Sequence, residues 1–103
     1  MQIGLKSDEV GWDAYRICQD GAAIVATGHE HSYARTRTLI DVGNEQTGHG
    51  AYGADDTMLV SEGSNFVFVA GTAGQAYRSY DAPNHDDDTW WASWYANNGY
   101  MEV

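Results

Sequence analysis

Positive charge is scarce in this chain of 103 residues, in which 15 acidic residues face only 5 lysines and arginines. The formal net charge of -10 disfavours nucleic acid and anionic membranes as partners, because both need a cationic footprint. No apolar run approaches the roughly 20 residues that span a bilayer, and no basic, apolar leader opens the chain. We therefore expect a soluble protein with no nucleic-acid partner and no membrane span.

Cysteine and proline are also scarce, with one of each. The lone Cys18 excludes an internal disulfide and any cysteine-based zinc site. It fits either a small buried apolar residue or a reactive thiol. Apolar residues make up 43% of the chain, which predicts a folded domain, and the length allows one domain at most.

One helix is predicted over residues 7–20, with acidic residues near its start and Gly21 at its end. Its apolar stripe at helical spacing consists of Val10, Ala14, Ile17 and Cys18.

Short apolar runs bounded by glycine and polar residues predict strands. The run at 22–27 is apolar enough for a strand covered on both faces, as in an α/β sheet. The alternation at 66–70 gives the clearest strand, and 90–96 fits either a strand or a helical turn before a turn at 97–99. Weaker strands are predicted at 39–42 and 57–60, and loops at 29–37, 43–56, 71–74 and 79–88.

These few elements do not make a self-sufficient α/β sheet. Four candidate strands and one helix cannot cover both faces of so apolar a sheet. Three of the four tryptophans also lie within residues 90–94, which indicates an apolar surface that another part of a larger domain would bury. We therefore expect residues 1–103 to form a single partial domain of the α/β class.

The sequence Gly-His-Glu-His at 28–31 is the sharpest chemical signature. Imidazole is a good ligand for transition metals. On an extended backbone, His29 and His31 would share one face with Cα atoms about 6–7 Å apart, which suits two metals about 3.5–4 Å apart, each held by one histidine. Gly28 would let the backbone leave the preceding strand sharply.

Residues 23–36 resemble the Gly-His-x-His segment of the calcineurin-like metallophosphoesterases, the superfamily that includes purple acid phosphatases. Residues 11–15, 66–74 and 91–95 are similar to neighbouring parts of that superfamily. The resemblance covers most of this chain and corresponds to about the C-terminal third of a typical member. It implies a partial metallophosphoesterase-type sandwich, made mostly of strands with one N-terminal helix.

The resemblance implies that His29 ligates one metal of a pair and His31 the other, the metals being Fe, Zn or Mn. In the full family domain the pair activates a water for attack on a phosphoester. The family's upstream Asp-x-His, Gly-Asp-x-x-Asp and Gly-Asn-His motifs do not occur in this sequence. We therefore assign no catalytic residue, and this chain alone is not expected to hold the metal pair or to act as a hydrolase.

Two functions remain open. The chain is either a segment of a secreted or otherwise extracytoplasmic phosphoesterase, active only with the missing N-terminal portion, or a non-catalytic structural or interaction protein derived from that fold. In the second case it would associate with copies of itself or with another chain. The contacts would come from exposed strands such as 66–70 and from the tryptophan-rich C-terminal end.

Other residues that bear on chemistry each have two interpretations. His49 and His85 fit solvated loop positions better than ligand positions. The acidic run at 86–88 fits a solvated turn better than a calcium site, because it lacks the ligand spacing of a calcium loop. Arg35 fits a phosphate contact and an ion pair with an acidic neighbour equally well. The C-terminal aromatic cluster fits a core or an interface better than a platform for stacking sugars or bases.

Overall fold

The computed structural model describes residues 12–40, 42, 59–80 and 91–102. They form a mixed five-stranded sheet with one short helix, which agrees with the α/β class expected from the sequence. In this part of the chain no helix has the length and apolar character needed to cross a bilayer. The elements are α1 (Trp12–Asp20), β1 (Val25–Thr27), β2 (Tyr33–Thr36), β3 (Val67–Ala70), β4 (Trp91–Ala96) and β5 (Gly99–Glu102).

The order of strands across the sheet is β1-β3-β2-β4-β5. Strands β1 and β3 are parallel, with Val25 opposite Val67 and Thr27 opposite Val69. The pairs β2–β3, β2–β4 and β4–β5 are antiparallel. Because β1 and β3 end at the same edge and β2 begins there, the segments that follow β1 and β3 meet at that edge.

Several predicted elements are confirmed. Helix α1 covers the described part of the predicted helix, residues 7–11 lying outside the described residues, and β3 falls within the predicted strand at 66–70. The described part of the segment at 90–96 is a strand, β4, since residue 90 lies outside the described residues. The turn that follows it leads into β5, which the sequence did not predict.

The prediction of a loop throughout 29–37 was wrong, because β2 lies inside it. Ala34 and Thr36 are buried while Tyr33 and Arg35 are half-buried, so the strand does have a period of two. The inward residues are small or polar, and hydrophobicity therefore does not reveal the alternation.

Two other strand predictions find no strand among the described residues. In the described part of 39–42, which leaves out residue 41, Leu39 forms an isolated bridge with Asn65. Residues 59–60 are not in a strand, and residues 57–58 lie outside the described ones. The run at 22–27 does contain β1, but this strand is not covered on both faces. Ala26 is exposed and its two neighbours are half-buried, because β1 is a terminal strand of the described sheet and pairs only with β3 there.

The helix contributes a mixed face to the core. Tyr15 and Gln19, one turn apart, are buried, whereas Ile17 is 71% exposed, so the predicted stripe was wrong at Ile17. The amide of Gln19 donates to the Leu39 carbonyl at 2.9 Å, and a hydrogen bond of this kind is what makes a buried amide tolerable. The core consists of Tyr15, Ala34, Leu39, Val42, Val67, Val69, Trp91 and Ala96.

Asn65 joins three separate segments of the chain. Its backbone exchanges hydrogen bonds with Leu39 at 2.7 and 3.1 Å, and its side-chain amide donates to the Ala23 carbonyl at 3.0 Å. Its Oδ1 lies 3.5 Å from the amide nitrogen of Gln19. Because Asn65 is completely buried, these bonds hold the entry to β1, the bridge at Leu39 and the helix in one register.

The histidine loop and its surroundings

The candidate metal-ligand residues lie in the connection between β1 and β2, at 28–32, which we call the histidine loop. This loop sits at the edge where the parallel strands β1 and β3 both end. Ligands of α/β sheets typically bind at the carboxyl ends of such strands. The position of the loop is therefore the one expected of a binding site.

The backbone of the histidine loop is bent, not extended. The Ser32 amide donates to the Glu30 carbonyl at 2.8 Å, which closes a three-residue turn centred on His31. The expected same-face geometry of an extended strand therefore does not describe this loop. His29 is exposed and His31 is half-buried.

The residue between the two histidines points inward. The side chain of Glu30 is only 1% exposed, and its Oε1 accepts a hydrogen bond from the His31 amide at 3.1 Å. The same oxygen lies 3.7 Å from Nη1 of Arg78. A buried carboxylate needs such partners, because desolvation without them is costly. Glu30 therefore holds the loop from the inside.

The glycine that the loop requires is Gly71, just after β3, and not Gly28. A Cβ at Gly28 would meet only the Ala70 carbonyl oxygen, at an ordinary 3.9 Å. A Cβ at Gly71 would lie 2.0 Å from the Glu30 carbonyl oxygen and 2.6 Å from that of Gly28. The expectation for Gly28 was wrong because the close approach comes from the neighbouring parallel strand.

Arg78 lies between the histidine loop and the turn that joins β4 to β5. Its amide donates to the His31 carbonyl at 2.8 Å, and its carbonyl accepts from the Asn97 amide at 2.9 Å. Two residues on, Tyr80 exchanges hydrogen bonds with the Asn98 side chain at 2.8 and 3.3 Å. The backbone of Arg78 is thus fixed on both sides, directly beside His31.

Sequence reasoning missed both Glu30 and Arg78. The available signals were the acidic residue between two histidines and the presence of one of only 5 basic residues shortly after the glycine turn at 71–74. Arg35, the cation considered instead, lies on β2 and donates to the Thr36 carbonyl at 3.4 Å.

The described tryptophans of the C-terminal end are covered by this chain itself. Trp91 is in the core, and Trp94 stacks on Tyr80 with ring centroids 4.5 Å apart. Tyr95 meets Tyr77 edge-on at 5.3 Å. The expected tryptophan surface is therefore absent among the described residues, where Tyr95 and Tyr100 are the exposed aromatics of this end.

Of the remaining candidates, the structure describes only one. Cys18 is half-buried on α1. The other three candidates (His49, His85 and the acidic run 86–88) lie outside the described residues. Within the described ranges no three His, Cys, Asp or Glu side chains are grouped so that they could hold a metal ion. His29 and His31 are thus two imidazole donors without a bridging carboxylate in that part of the chain, a donor set that does not by itself fit a metal pair.

The chain matches no family model, no curated protein and no solved structure.

Proposed function

We propose that the chain is a segment of a dinuclear-metal phosphoesterase, to which the histidine loop contributes metal ligands. The observation that carries the proposal is the placement of His29, which is exposed, and His31, which is half-buried, on either side of a buried carboxylate where two parallel strands end. The resemblance of residues 23–36 to the Gly-His-x-His segment of metallophosphoesterases supports the same function.

In this proposal His29 and His31 would each hold one metal, Fe, Zn or Mn, and the chemistry that the pair would supply is activation of water for attack on a phosphate ester. The carboxylate and further histidine ligands come from a portion of the protein that precedes this segment. Glu30 is not counted among the ligands, because it is buried and faces Arg78.

The test is metal binding by this chain and by a longer chain that includes whatever the gene encodes ahead of Met1. We expect two equivalents of metal in the longer chain. His29→Ala and His31→Ala should each remove about one equivalent. The matched controls are His49→Ala and His85→Ala, the two remaining histidines, which should remove none. Failure of both chains to bind two equivalents would overturn the proposal.

The alternative is a non-catalytic protein that binds copies of itself or another chain. It is favoured by exposed apolar side chains at both ends of the described sheet, where Ile24 precedes β1 and Tyr100 lies on β5. Tyr100 is 77% exposed and Leu59 is 61% exposed. Terminal strands with such surroundings can add a strand from a neighbour.

Light scattering on the purified chain separates this alternative from the first proposal. Self-association should give a mass above that of one chain. Tyr100→Ser should lower that mass if β5 is the contact. A chain that stays monomeric at all concentrations and binds no other protein chain would remove support for the interaction function.

A further inference from the structure

Arg78 has a fixed backbone and a guanidinium with unused donors. Besides the Glu30 carboxylate, at 3.7 Å, the structure gives this guanidinium no partner among the described residues, and Nη1 itself makes no hydrogen bond there. A guanidinium carries five N–H donors. One carboxylate at more than hydrogen-bond length therefore leaves most of them available.

The side chain is also reachable from solvent. It is 33% exposed, whereas the carboxylate that faces it is 1% exposed. Glu30 thus anchors the guanidinium at its buried Nη1, and the backbone amide of Arg78 donates to the carbonyl of His31. An anchored guanidinium loses less freedom on binding a ligand than a mobile one.

The histidine loop contains a second polar group without a partner. Ser32 is buried, and its Oγ has no hydrogen bond among the described residues. Buried polar atoms are ordinarily satisfied, and an exception calls for an explanation such as a ligand. Ser32 and Arg78 both adjoin His31, one in sequence and the other through a backbone hydrogen bond.

We propose that Arg78, anchored by Glu30, binds an oxygen of the phosphoryl group whose ester bond is hydrolysed. This inference rests on the proposed function, since it places the phosphoryl group beside His29 and His31. Phosphate matches the planar fork of a guanidinium and takes charge-assisted hydrogen bonds from it. In a protein of net charge -10, a local cation is needed to hold an anionic substrate at this edge.

The test is calorimetric titration with inorganic phosphate, of this chain without metal and of the longer chain, which includes whatever the gene encodes ahead of Met1, after loading with Mn²⁺. Arg78→Gln should raise the phosphate Kd about tenfold or more, and Arg78→Lys should raise it less, because the charge stays while the fork is lost. The matched control is Arg16→Gln, which removes the same charge from the surface of α1, where Arg16 pairs with Asp13. It should leave the phosphate Kd unchanged.

Two further measurements separate the possible failures. The double variant His29→Ala, His31→Ala tests the metal pair alone, and it is made in the longer chain, because this chain by itself is not expected to hold the pair. If it takes up as much metal as the wild type, the proposed function fails, while loss of phosphate binding in Arg78→Gln without metal would still support an anion site. Thermal unfolding of every variant identifies those that have lost the fold. If Arg78→Gln is one of them, the phosphate Kd of the wild type is compared with that of Arg78→Lys instead. Equal phosphate affinity in wild type and Arg78→Gln, or no phosphate binding by the wild type in either state, would overturn the inference.

Discussion

Replacement of Gly71 by alanine is the sharpest test of how the histidine loop is built. The new Cβ would lie 2.0 Å from the Glu30 carbonyl oxygen, 2.6 Å from that of Gly28 and 2.9 Å from the Glu30 carbonyl carbon. All three atoms belong to the backbone, so no side-chain rotation can relieve the overlap. The loop must move away from β3, or the end of β3 must move away from the loop.

The size of the effect follows from the competing terms. Overpacking typically costs about 1–3 kcal/mol, and a backbone obstruction belongs at the upper end. The reduced freedom of the unfolded chain returns about 0.4–1 kcal/mol for a glycine-to-alanine change. We expect a net loss of about 2 kcal/mol or more. For a domain of this size that lowers Tm by roughly 8–16 °C, at about 4–8 °C for each kcal/mol.

Two other glycines provide matched controls in the same assay, thermal or urea unfolding. Gly74 has φ of +81° and open space around its Cβ position, so Gly74→Ala should cost only the left-handed strain, about 1–2 kcal/mol. Gly28→Ala meets an ordinary contact at 3.9 Å and should be nearly neutral. If Gly71→Ala unfolds at the temperature of Gly28→Ala, the close approach of the loop to β3 is refuted.

The remaining predictions concern the core and can be checked by urea unfolding. Asn65→Ala should cost about 2–4 kcal/mol, because it removes a completely buried amide that donates to the Ala23 carbonyl and accepts from the Gln19 amide. Asn98→Ala, whose hydrogen bonds are exposed, should cost less than about 1 kcal/mol; equal losses would contradict the role of Asn65. Thr36→Val should cost about 1–3 kcal/mol, because the Thr36 hydroxyl accepts from the Val67 amide at 3.0 Å and donates to the Arg37 carbonyl at 2.8 Å. An unchanged urea midpoint would rule those bonds out. Trp91→Ala should cost about 3–5 kcal/mol, because Trp91 has the largest fully buried side chain among the described residues. Tyr100→Ala should change stability by at most about 0.5 kcal/mol; similar effects would place Trp91 outside the core.

Local patterns in the sequence predicted the elements whose stability is local or strongly apolar. The helix end at Gly21 and the strand β3 follow from a stop residue and from alternating large apolar side chains. Strand β2 was missed because its inward residues, Ala34 and Thr36, are small or polar, and their burial depends on the neighbours β3 and β4. Ile17 was misassigned for the complementary reason, since Gln19 takes the buried position by bonding to Leu39.

The candidate site likewise has a part that local sequence patterns predicted and a part that depends on contacts between distant segments. The sequence predicted where the two histidines lie, at the end of an apolar strand, because motif and strand are contiguous. It did not predict what holds them, since Gly71 reaches the histidine loop through the pairing of β1 with β3, and Arg78 reaches it through a backbone hydrogen bond to His31. Contacts of this kind depend on topology, which no local pattern encodes.

The burial of Glu30 also limits how a metal could be held at this edge. A carboxylate that accepts from the His31 amide and faces Arg78 from a site 1% exposed would have to leave both partners to turn outward toward a metal. That movement would leave the Nη1 atom of Arg78, which is already without a hydrogen bond, with no counter-charge, and removing one partner of a buried pair is expensive. Glu30 therefore serves as the anchor of the loop and not as its third ligand. Under the proposed function, a metal pair held by His29 and His31 would then take its carboxylates from residues other than Glu30.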